Sequence, residues 1–99
     1  MKVSISSLHF KADLKLEDFI REKVTKVSGL FDGVIGSDVT LKLDTSSSNE
    51  NKIAEIRIQI PGNDLFSKKQ AKTFEEAIDN AVDALKKQIK RHKEKVKGL

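Results

Sequence analysis

Ninety-nine residues suffice for one domain with a modest core and are too few for two. Hydrophobic residues make up 37% and charged residues 34%, the balance of a folded chain with a heavily charged surface, and the lack of cysteine excludes disulfides and thiolate metal sites. The net charge of +4 is unevenly placed: residues 1–85 carry 12 Lys/Arg against 14 Asp/Glu, whereas residues 86–99 carry 7 basic groups and Glu94 as their one acid.

A nearly neutral body with one strongly basic end calls for an anionic partner, nucleic acid ahead of a membrane surface. The opening Met1-Lys2-Val3-Ser4-Ile5 alternates apolar and polar residues and supplies no signal-peptide core. No stretch approaches the roughly 20 apolar residues of a membrane span. A cytoplasmic location is therefore expected.

Val3, Ile5, Leu8 and Phe10 mark an opening strand with a break near Ser6-Ser7. Asp13 suits a helix N-cap. Leu16, Phe19, Ile20, Val24, Val27, Leu30 and Phe31 recur at three- and four-residue spacing, one face of a helix that should end near Gly29–Gly33. Val39, Leu41 and Leu43 alternate with polar residues as in a half-buried strand. After the polar connector 45–51, Ile53, Ile56, Ile58 and Ile60 predict another strand. Pro61-Gly62-Asn63-Asp64 turns the chain, and Leu65–Lys69 returns as a short strand. Thr73-Phe74-Glu75-Glu76 has the capping-box form, and apolar residues from Phe74 to Val96 keep helical spacing for some six turns.

The predicted order is βαβββα within one domain, residues 1–99. A right-handed crossover makes the first strand parallel to the second, and hairpins supply the other pairs. The result is an α+β two-layer sandwich: a four-stranded mixed sheet with two helices on one face.

Catalysis lacks its raw materials. His9 and His92 fall in different elements, outside any zinc-hydrolase arrangement, and Gly29, Gly33 and Gly36 are not followed by the lysine and hydroxyl residue of a phosphate loop. Neither an enzyme, a cofactor, a metal nor a small-molecule substrate is expected. The informative feature is the last helix, where Lys86, Lys87, Lys90, Arg91, Lys93, Lys95 and Lys97 crowd three turns. Two or three cations would answer the helix dipole; seven overshoot it and repel one another, which favours phosphate binding. In the first helix, Lys23 lies at the edge of the apolar stripe, either covering the core with its stem or held there toward a phosphate. His92 falls on the apolar side of the last helix, as a partly buried residue at the end of the core. Phe66 could sit on the open sheet face as a stacking platform, though the lack of Trp and Tyr disfavours single-strand readers.

With those residues in view, the chain resembles the ribosome hibernation-promoting factor and ribosome-associated inhibitor family. The resemblance rests on Leu16-Glu17-Asp18-Phe19-Ile20 leading to Lys23, Lys26 and Phe31-Asp32, on Val39–Lys42, and on Ala77-Ile78-Asp79 running to Lys87-Gln88, Arg91-His92-Lys93 and Lys95. Their order and spacing carry the likeness, which extends from the first strand to Lys97. It implies a fold akin to a double-stranded-RNA-binding domain and a place in the decoding channel of the small ribosomal subunit. There the partners are the subunit and its rRNA, and the protein keeps idle ribosomes inactive. The basic positions carried over are Lys23, Lys26, Lys87, Arg91, Lys93 and Lys95; helix geometry adds Lys86 and Lys90.

Thr73, Phe74 and Glu75 stand where family members usually have an acidic residue, an aliphatic residue and a tyrosine, so no role of that tyrosine transfers. The chain resembles the short form of the family and is expected to be a monomer off the ribosome. The alternative is a binder of structured RNA without ribosome preference.

Overall fold

The computed structural model describes residues 2–46 and 49–96, with side chains through Lys93. Its elements run β1 (Lys2–Ser7), α1 (Leu14–Ser28), β2 (Gly36–Leu43), β3 (Lys52–Ile60), β4 (Asn63–Ala71) and α2 (Phe74–Val96). The four strands form one sheet in the order β1-β2-β3-β4. β1 pairs parallel with β2, Ile5 opposite Val39, and the remaining pairs are antiparallel, with Val39 opposite Ile56 and Ile56 opposite Ser67. This is the expected βαβββα mixed sheet.

Strand alternation gives the sheet two different faces. Val39 and Leu41 of β2, Ile56 and Ile58 of β3, and Leu65 of β4 are buried beneath the helices. Ile20, Val24 and Val27 of α1 and Ile78, Leu85 and Ile89 of α2 complete the core from above. The opposite face is polar and charge-compensated: Lys42 and Lys68 both reach Glu55, at 2.8 and 4.0 Å.

Local chemistry sets the boundaries. The backbone N–H of Leu16 donates to Asp13 Oδ1 at 2.8 Å, starting α1 at the expected cap. That of Glu76 donates to Thr73 Oγ1 at 3.1 Å, the threonine half of the capping box on α2. The β3–β4 turn has Pro61 and Gly62 at its centre, and the glycine's φ of 79° is what a type II turn demands of its second central residue.

Three elements differ from the sequence expectations at one or both ends. β1 stops at Ser7: Leu8 still donates to the Leu41 carbonyl, but His9 takes a φ of 68° and turns the chain away. α1 ends at Ser28, and Leu30 and Phe31 close a tighter turn on the carbonyls of Val27 and Ser28. β4 is longer than Leu65–Lys69, running nine residues, because an edge strand needs few apolar side chains to hold its ladder.

Candidate nucleic-acid interface

α2 is held by its apolar stripe, and its register against the sheet is pinned at the edge strand. Gln88 Nε2 donates to the main-chain carbonyl of Phe66 in β4 at 2.7 Å. With about 100° per residue, the buried Ile78, Val82, Leu85 and Ile89 share one side of α2. Lys86 and Asp79 lie toward α1, and Lys87 and Arg91 lie toward β4. Lys90 stands between, facing outward and exposed, as is Lys93. The cations of α2 therefore serve two grooves.

The first groove, between the helices, is lined by Lys23, Lys26, Val27, Asp79, Val82, Asp83 and Lys86. Each lysine in it has a carboxylate. Lys23 Nζ is 3.2 Å from Asp79 and lies 5.5 Å from the centre of the Phe19 ring. Lys26 meets Glu22 at 3.2 Å, and Lys86 meets Asp83 at 4.0 Å. Lys23 is thus half-buried at the edge of the core, and its ammonium meets a carboxylate at the surface. The second groove separates α2 from β4 and is lined by Lys69, Asn80, Asp83, Ala84, Lys87, Gln88 and Arg91.

The structure thus places Lys23, Lys26 and Lys86 together, and Lys87 with Arg91 around the helix from them. Lys95 continues α2, but its side chain, like all of Lys97, lies outside the described residues. Lys69 was not among the sequence candidates. Strand alternation could have found it, since Lys68 and Lys69 of β4 point to opposite faces and Lys69 takes the helix side.

His92 is half-buried, its ring edge-on to Phe31 with centroids 5.0 Å apart, at the end of the core as expected. Phe66 lies on the open sheet face, 42% exposed, with the Arg57 guanidinium 5.5 Å from its ring centre. That guanidinium also reaches Asp64 at 3.6 Å. The Asp44 carboxyl, in the β2–β3 connection, is held below its ordinary value, first by the Ser46 hydroxyl and then by the Gln70 amide. It stands apart from both basic grooves.

The family model described as sigma 54 modulation protein / S30EA ribosomal protein matches residues 3–97. The chain belongs to this family. A ribosome hibernation promoting factor of Pseudomonas putida is 31% identical over 99 residues, an alignment covering 100% of this chain and 93% of that one. The ribosome hibernation promotion factor of Bacillus subtilis is 29% identical, with 97% of this chain matching 50% of the longer relative. The N-terminal domain of Thermus thermophilus Protein Y superposes with a TM-score of 0.78 at 25% identity, covering 93% of this chain and 99% of that domain. A ribosomal subunit interface protein from Coxiella burnetii shares the fold, with a TM-score of 0.83, 13% identity and coverage of 94% and 98%. The two hibernation factors are named for a role on the ribosome, and the Coxiella burnetii protein for a place on it. Among the described residues, no helix is long and apolar enough to cross a membrane.

Proposed function

We propose that this protein binds the small ribosomal subunit through the basic surface of α1 and α2, occupies the decoding channel and keeps idle ribosomes inactive. The observation that carries the proposal is the placing of cations on both flanks of α2, in a chain that belongs to a family of ribosome hibernation factors. A channel walled by rRNA presents phosphates on several sides. A narrow domain with cations turned in more than one direction suits such a site better than one flat basic face would.

Inhibition follows from occupancy. The described side chains on these helices offer charge and hydrogen-bond donors, which supports a protein that acts by standing where messenger and transfer RNA would pass. No cofactor or small-molecule substrate enters this scheme, and the protein acts in the cytoplasm, as a monomer when off the ribosome. Lys23, Lys26, Lys86, Lys87, Lys90, Arg91, Lys93 and Lys95 are the proposed rRNA contacts.

The test is sedimentation of the purified protein with ribosomes through sucrose, with and without naked duplex RNA at matched phosphate concentration. Cosedimentation with small subunits that survives the competitor is the expected result. Loss of the bound protein to the duplex would instead identify a binder of structured RNA without ribosome preference.

A further inference from the structure

The two grooves flanking α2 are chemically unlike. In the groove toward α1, every lysine already has a carboxylate within ion-pair reach. In the groove toward β4, no described carboxylate pairs with Lys69, Lys87 or Arg91. Asp83 also lines that groove and is engaged by Lys86. Lys69 from the strand and Lys87 and Arg91 from the helix thus outnumber the one lining carboxylate, so an anion seated in the groove would meet attractive charge from both walls.

Other residues of the groove shape it as well. Ala84 lines it with a short side chain that leaves room between the long cations, and Asn80 adds an amide. The Gln88 amide, bonded to the Phe66 carbonyl, ties α2 to the edge strand. Lys69 is therefore held opposite Lys87 and Arg91 by main-chain geometry on both sides.

We infer that the notch between α2 and β4 seats a phosphate of the rRNA backbone, with Lys69, Lys87 and Arg91 as its cationic walls. This inference rests on the proposed ribosome binding and deepens it. It makes the edge strand part of the interface and names β4, rather than the α1–α2 groove, as the side of α2 that grips phosphate most strongly. A planar guanidinium with one ammonium group on its own helix and another across the notch can donate to several oxygens of one phosphate at once. The lysines of the other groove must first release a carboxylate.

The experiment compares Lys69→Gln with Lys68→Gln. The two substitutions remove the same charge from adjacent positions, one facing the notch and one facing the opposite side of the sheet, where it pairs with Glu55. Binding of each variant to purified small subunits is measured at stepped salt concentrations, with thermal melts to confirm folding. Lys69→Gln is expected to weaken binding roughly three- to tenfold and to lower the slope of log affinity against log salt by roughly 0.7–0.9. Lys68→Gln should leave both within about twofold of the unaltered protein. Equal effects of the two substitutions, or none from Lys69→Gln while the unaltered protein binds normally, would overturn the notch and leave the proposed function standing. Failure of the unaltered protein to bind small subunits would overturn both.

Discussion

The ammonium of Lys23 lies 3.2 Å from the carboxylate of Asp79, bridging α1 and α2 with two side chains that are 40% and 50% exposed. Ion pairs this open to water contribute about 0–1 kcal/mol, so the bridge is a minor support for the fold. Its larger consequence is electrostatic: Asp79 screens one of the cations proposed to meet rRNA.

Asp79→Asn should therefore leave the melting temperature nearly unchanged and tighten binding to small subunits at low salt. The gain should shrink as salt rises, because surface charges are screened within roughly 8 Å at physiological ionic strength. Binding isotherms at two salt concentrations measure both effects. Weaker binding by Asp79→Asn would instead make the carboxylate an aid that orients Lys23.

Leu85→Ala tests the packing of α2 on the sheet. Leu85 is fully buried, and its truncation should cost about 2–5 kcal/mol in denaturant unfolding. Lys90→Ala, on the outward side of the same helix, should stay within about 0.5 kcal/mol of the unaltered protein. Similar losses from the two would contradict the burial pattern.

The Asp44 carboxylate accepts from the Ser46 hydroxyl at 2.6 Å, the Ser46 N–H at 2.9 Å and the Gln70 amide at 2.8 Å. These donors favour its charged form and hold its pKa below the ordinary value, the Ser46 hydroxyl contributing most. A depressed folded pKa means a stabilisation that is present above the unfolded value and is lost as pH falls through the folded one. Asp44→Asn should flatten the acid limb of the stability profile below about pH 4. Gln70→Ala should raise the carboxyl's titration midpoint, read by NMR. An unmoved midpoint would remove Gln70 from the account.

Much of this fold was legible because its periodicities are clean. Asp13 and Thr73 cap the helices as expected, and the isoleucines at 56, 58 and 60 mark β3 by alternation. The sequence marks β4 only at its centre, because Asn63, Asp64 and Gln70 are exposed polar residues of an edge strand and carry no burial signal. The cations of α2 were legible as a cluster. Their division between two grooves was not, because it depends on where α1 and β4 flank the helix. Lys69 escaped notice for the same reason: beside Lys68 it looks like ordinary surface charge, and only the packing of α2 against β4 brings it to Arg91.

Position should matter more than charge count. Lys87→Glu, Arg91→Glu and Lys93→Glu combined should abolish binding to small subunits at nearly unchanged thermal stability, since all three side chains are exposed. The same three reversals at Lys2, Lys11 and Lys52 alter net charge equally, at positions that line neither basic groove. They should do far less, and they should leave the salt slope close to its original value. Equal losses from the two triple variants would mean that net charge alone drives binding.

The central claim is occlusion of the decoding channel, and competition on the small subunit tests it most directly. Small subunits are prepared either vacant or loaded with messenger and initiator tRNA, and each is sedimented through sucrose with the purified protein. With the channel as its site, the protein should cosediment with vacant subunits and be displaced from loaded ones. Equal amounts bound to vacant and loaded subunits would contradict it.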